Sequence, residues 1–226
     1  MLAGVLPALL WLWFWLKEAE HPEPRKLIIY SFLGGMIAVP LVVPFELWVK
    51  NVFPGSTQEA VITVLILWAA IEECFKFGAA YWTGISRKED RSPIDPVIYM
   101  ITAALGFAAI ENFLFILTPL DHGQIVSGIY TGGLRFIGAT LLHVISSASV
   151  GISYGLAFYK NKWKKVLHVI IGLVIAIALH STFNYFIMSA DGSQTFIVFY
   201  GVWLAVIGLA LFLEKLKFVH MCKISE

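Results

Sequence analysis

Three glutamates, a lysine, two histidines and two asparagines stand inside apolar stretches of this chain, where polar groups are costly. One stretch reads Ile71-Glu72-Glu73-Cys74-Phe75-Lys76, and the next carries Phe107, Glu111, Asn112 and Phe113. His143 follows, ahead of Ser146, Ser147 and Gly151, and then His180 with Asn184 four residues on. A charged side chain at the centre of a bilayer costs roughly 2.5–3.5 kcal/mol on insertion scales, so such groups usually face an interior cavity and carry function. Three glutamates and one lysine, ionised and unpaired, would cost on the order of 10 kcal/mol, as much as a whole domain's stability. They must converge, and pair or change protonation.

The chemistry open to these residue types is hydrolytic. A carboxylate held where water is scarce can take a proton from water and return it to a leaving amine. His143 and His180 with a glutamate, Glu111, make a ligand set for a divalent metal such as Zn²⁺, which lowers the pKa of bound water. Asn184 can donate its amide N–H to a developing oxyanion. Glu73 lies about 100° round the helix from Glu72 and joins the candidate set as a supporting carboxylate. Lys76, at i,i+4 from Glu72, is an ion-pair partner, and Asn112 is a second supporting group. Water, base, electrophile and oxyanion donor add up to hydrolysis of an acyl bond.

These residues must be positioned by helices in a membrane. Of 226 residues 59% are apolar and 14% charged, and the mean hydropathy is +0.80, well outside the soluble range. Seven apolar segments follow, at about 1–16, 27–48, 59–81, 95–117, 132–158, 165–187 and 195–213, each read as a spanning helix. The expected fold is all-α: one polytopic bundle over residues 1–226, with its catalytic core at about 59–187. The first segment is read as a retained anchor rather than a signal peptide, with Trp11, Trp13 and Trp15 in the interfacial belt. Alternate loops and the C-terminal tail hold 13 of the 16 Lys and Arg, among them Arg87, Lys88, Arg91 and Lys160, and the opposite loops hold only Lys50. The positive-inside rule then places the N-terminus outside and the C-terminus in the cytoplasm. In the fifth segment Ser147, Gly151 and Gly155 recur every four residues, a stripe that permits close helix approach. A net charge of +1 offers no basic face for nucleic acid; the partners are lipid and a membrane protein.

Several features carry blander readings. Glu46, beside Trp48 and Lys50, reads as interfacial, and Arg135 as a residue snorkelling to the surface. Cys74 reads as packing, and Cys222 stands at the wrong position for a prenylation tail. His21, His122, His168 and His220 fall in loops, at a helix end or in the tail. Gly151-Ile152-Ser153-Tyr154-Gly155 matches the G-x-S-x-G pattern, but that motif needs a strand-to-helix turn and here lies inside a span. A zincin-type HExxH is absent. The principal rival to a hydrolase is a proton- or cation-coupled transporter using a Glu/His relay; the missing inverted repeat argues against it.

In order along the chain, Glu72-Glu73-x-x-Lys76, Phe107-x-x-x-Glu111-Asn112, His143 ahead of Gly151, and His180-x-x-x-Asn184 resemble PrsW-type intramembrane proteases, within the superfamily that includes the CAAX prenyl proteases. The resemblance covers residues 72–184. It implies a membrane-embedded endopeptidase of a prokaryotic plasma membrane, cleaving membrane proteins of the single-span anti-sigma-factor kind in a signalling cascade. It also implies Glu72 as general base, His143 and His180 around the reacting centre, and Asn184 as oxyanion donor. CAAX proteases carry histidine where this chain has Glu111, so both a metalloprotease and a metal-free glutamate protease fit the motif set.

Overall fold

The computed structural model describes residues 2–19, 23–87, 92–121, 123–189 and 192–224, and among them every regular element is helical. The helices are α1 (Leu2–Trp15), α2 (Arg25–Val52), α3 (Gln58–Ala80), α4 (Asp95–Asp121), α5 (Ile125–Leu134), α6 (Thr140–Leu156), α7 (Lys162–Ser189) and α8 (Gly192–Ile224). Lys88 and Arg91 of the third loop, His21 and His122 lie outside the described residues, as do the side chains of His220 and Cys222.

Five helical stretches are long and apolar enough to cross a membrane: Arg25–Val52, Asp95–Leu117, Gly128–Leu156, Lys162–Met188 and Gln194–Glu214. α1 is too short to qualify at 14 residues. α3 has the length, but Glu59, Glu72, Glu73 and Lys76 put at least three charges into any 18 consecutive residues. Those three inner charges are the ones the fold pairs internally.

α4 is the axis of the bundle. From Ser92 to Ala109 every residue is buried, with α1, α2 and α6 packed round it. Close approach explains how. A Cβ on Gly35 of α2 would lie 1.9 Å from the Ala103 carbonyl oxygen, and one on Gly106 of α4 would lie 1.9 Å from that of Phe32. Each helix thus supplies the glycine that admits the other's backbone. The expected stripe on α6 works similarly: Gly151 meets Val97, Gly155 meets the Pro93 carbonyl, and Ser147 turns to a carboxylate instead. Helices α7 and α8 present Val166, Ile170, Val174, Leu204 and Leu211 outward, as lipid-facing helices do. Cys74 also faces outward rather than packing inside.

The fifth expected segment starts earlier than 132. α5 and α6 form one helix joined by a π-turn at Arg135–Ala139, where Thr140 Oγ1 donates 3.0 Å to the Arg135 carbonyl. The tryptophans of α1 do not share one belt. Trp15 is buried, Trp11 packs on Trp203 and Phe136, and Trp13 alone is well exposed, with Lys17 over its ring.

Side-chain contacts tie the helix ends into two faces. Lys217 at the end of α8 donates 2.8 Å to Glu18 after α1, and Tyr99 near the start of α4 donates to Glu23. At the opposite face Gln58, opening α3, donates 2.9 Å to Tyr185 near the end of α7. α1 and α8 therefore run parallel.

Candidate active site

Glu72, Glu73 and Lys76 come from α3, Glu111 and Asn112 from α4, His143 from α6, and His180 and Asn184 from α7. Their sequence separations are large, but the close packing of these helices round α4 brings the eight side chains together. Lys76 is completely buried. Its ammonium donates 2.7 Å to Glu73 Oε1 and 2.9 Å to His143 Nδ1, stands 3.4 Å from Glu72 Oε2, and lies over the Phe107 ring.

The hydrogen bonds decide the imidazole tautomers. An ammonium only donates, so His143 Nδ1 is the acceptor, and Nε2 carries the proton that it gives to Glu111 Oε2 at 2.8 Å. His180 Nδ1 stands 2.9 Å from Glu73 Oε1, a carboxylate oxygen that accepts. Nδ1 of His180 is then the protonated nitrogen, and the lone pair on Nε2 is free, 3.8 Å from Glu72 Oε2.

Glu73 is fully satisfied, taking bonds from Lys76, His180, Ser146 at 3.0 Å and Ser147 at 2.9 Å. Four donors match the lone-pair capacity of a carboxylate. Glu72 is the opposite case. Its Oε2 is buried without a hydrogen bond, since Lys76 approaches at 3.4 Å but out of line. One donor atom each from Glu72, His143 and His180 lie within 4.8 Å of one another. An orphaned carboxylate oxygen, a free imidazole lone pair and a second imidazole fit a catalytic metal site with three protein ligands and an open position. The Nδ1–H of His180 on Glu73 is the carboxylate–histidine support that orients such a ligand. Glu111, the glutamate expected to complete the set, is engaged by Arg135 and His143.

The site forms one wall of a cavity of about 670 Å³ lined by α2 to α8. Glu72, Glu111, His143, His180 and Asn184 line it, whereas Glu73 and Lys76 stand behind the lining. Its other lining residues include Tyr130, Met188 and Thr195, so it extends towards the face of the Gln58–Tyr185 contact.

Two residues were misread from sequence. Arg135 does not snorkel: it donates 2.5 Å to Glu111 Oε2 and 2.6 Å to Asn112 Oδ1, and its guanidinium lies over Phe115. Asn112 in turn donates 2.8 Å to Thr140. Glu46 is not confined to an interface but lines the cavity, tied by its backbone carbonyl to Trp68. The one available signal was charge balance, since Lys76 alone could not offset three glutamates. Ser153 lies inside α6, with its Oγ 3.0 Å from where a Cβ on Gly172 would stand; this is helix packing, not a nucleophile elbow. His168 accompanies Lys160 and Lys164 at the start of α7.

Comparison with known proteins agrees with this geometry. The model of the PrsW family intramembrane metalloproteases matches residues 23–212. Protease PrsW of Geobacillus kaustophilus (strain HTA426) is 24% identical over 98% of this chain and 91% of its own length. That of Shouchella clausii (strain KSM-K16) is 27% identical over 85% and 84%, and that of Bacillus subtilis (strain 168) 23% over 98% and 97%. No solved structure matches the chain. A family match across most of the chain displaces the transporter reading and assigns a hydrolase acting on membrane proteins in a lipid environment. The chain belongs to the PrsW family of intramembrane metalloproteases.

Proposed function

We propose that peptide bonds are hydrolysed at the inner wall of this cavity, between Glu72, His143 and His180. The observation that carries the reading is the buried, unbonded Oε2 of Glu72, grouped with two imidazoles at a cavity wall. A buried polar atom without a partner costs about 1–3 kcal/mol, and a reacting water or a cation would satisfy it.

Glu72, His143 and His180 would hold the metal, with Zn²⁺ the ion best matched to two imidazoles and a carboxylate. When bound, such an ion acidifies water and polarises the scissile carbonyl. His143 takes part through Nδ1, its lone-pair nitrogen, by giving up the bond it accepts from Lys76, while Nε2–H stays on Glu111. Glu72 has a second oxygen, which accepts the water's proton and returns it to the leaving amine. Asn184 donates its side-chain N–H to the oxyanion. Glu73, itself held by Lys76, positions His180, Glu111 positions His143, and Arg135 with Asn112 positions Glu111.

The reading extends to seven crossings of a prokaryotic plasma membrane, with the N-terminus outside and the C-terminus cytoplasmic, and α1 and α3 added to the five apolar stretches. α3 can cross because its inner charges are paired with one another and with α4, α6 and α7. The substrate would be a single-span membrane protein of the anti-sigma-factor kind, cut in the outer half of the bilayer as one step of a signalling cascade.

The test is metal content and cleavage by purified, detergent-solubilised protein, wild type beside Glu72→Ala and His180→Ala. Stoichiometric zinc, lost in His180→Ala, with chelator-sensitive cleavage of a single-span peptide, supports the metal site. Cleavage by metal-free protein that still needs Glu72 would make this a glutamate protease. Full activity in Glu72→Ala would remove Glu72 from the chemistry.

A further inference from the structure

Glu46 is a carboxylate in the cavity wall that the hydrolytic chemistry does not use. It shares one face of α2 with Val42 and Val43, at helical spacing, and all three line the cavity. Among the described residues its carboxylate makes no ion pair and no hydrogen bond, unlike Glu73 and Glu111. Its backbone is anchored to α3, because Trp68 Nε1 donates 3.0 Å to the Glu46 carbonyl. This contact and the packing of Phe45 on Phe75, rings 5.6 Å apart, bracket Glu46 between Trp68 and Phe75, within one helical turn of Glu72 along α3. Four residues at ~1.5 Å rise make that offset at most about 6 Å. An extended peptide advances ~3.3 Å per residue, so the offset corresponds to at most about two substrate residues.

We propose that Glu46 is a specificity-determining residue that receives a basic side chain, Lys or Arg, within about two residues of the scissile bond. Its neighbours Val42, Val43 and Trp68 in the lining are apolar, and the nearest charged lining groups of α3 and α4, Glu72 and Glu111, are carboxylates too; an unpaired carboxylate in such a setting is costly until a cation or a donor reaches it. A long basic side chain can lay its methylenes along Val42, Val43 and Trp68 and bring its charge to Glu46. The other cationic groups near the cavity, Lys76 and Arg135, are already engaged by Glu73 and by Glu111, and do not serve Glu46. The inference rests on the protease reading of the same cavity.

The experiment uses single-span peptides that differ only in carrying Lys, Gln or Glu one, two or three residues to either side of the scissile bond. In wild type kcat/KM for the Lys peptide is expected to exceed that for the Glu peptide by roughly tenfold or more at the matching position, as for charges meeting at low dielectric. The ratio should fall towards one in Glu46→Gln and invert in Glu46→Lys. Peptide Kd on a Glu72→Ala background should follow the same order, since it does not require hydrolysis. Equal ratios in all three chains overturn the proposal. An ordered Kd without cleavage by wild type would keep the carboxylate subsite and retire the protease reading.

Discussion

At the scale of the residue, the division between Glu72 and Glu73 is the central fact. They are neighbours in sequence, yet one is saturated by four donors and the other keeps a buried oxygen free. Their substitutions should fail differently. Glu73→Ala leaves a buried ammonium, two hydroxyls and an imidazole without their acceptor. Breaking a buried pair in this way costs about 3–5 kcal/mol, read as a lowered midpoint of thermal or denaturant unfolding in detergent. Glu72→Gln should leave that midpoint nearly unchanged while cleavage falls by orders of magnitude. A collapse in stability equal to that of Glu73→Ala would mean that Glu72 is structural. Arg135→Lys tests the third carboxylate, because lysine cannot make the forked contact to Glu111 and Asn112. It should lower kcat at unchanged metal content, and full activity would show that Glu111 needs no such positioning.

At the scale of the element, α4 carries the site because other helices can reach its backbone. The reciprocal contacts of Gly35 with Ala103 and Gly106 with Phe32 are backbone to backbone, so an added methyl has no flexible neighbour to displace. Gly35→Ala and Gly106→Ala should each cost at least the ~1–3 kcal/mol typical of overpacking, seen as lost monodisperse protein. Gly201 on α8 has nothing within 4 Å of an added Cβ, and Gly201→Ala should express and cleave as wild type does. Equal tolerance at all three would show that the α2–α4 crossing is not the constraint. The π-turn at Arg135–Ala139 belongs to the same scale. Its extra residue lengthens one turn of the α5–α6 helix, at the point where Arg135 meets α4 and just before His143.

At the scale of the whole molecule, the proposed orientation rests on the loops' basic residues and the pairing of helix ends. Lys217 on Glu18 and Tyr99 on Glu23 join ends that share one face, the face of the basic loops. With that face cytoplasmic, the cavity extends from mid-membrane towards the outside. Periplasm-active reporter fusions at Gly55 should be active, and those at Asn161 or the C-terminus inactive. The reverse pattern would invert the proposed site of cleavage.

The all-helical membrane architecture was legible in the sequence, as was the need for Glu72, Glu73, Lys76, Glu111, Asn112, His143, His180 and Asn184 to converge as a candidate site. Apolar runs of bilayer length admit little but helices, and an intramembrane charge needs a partner wherever the chain puts it. What the sequence left open was which partner each group takes. Whether Arg135 snorkels or turns inward, whether Glu46 faces lipid or cavity, and which of two adjacent glutamates keeps a free oxygen all depend on helix rotation. A single residue turns a helix through about 100°, less than the uncertainty of a helix boundary read from composition. Rotation is set by the backbone contacts at Gly35, Gly106, Gly151 and Gly155 and by the π-turn. These bring together residues up to about a hundred positions apart, and only the tertiary structure could decide them.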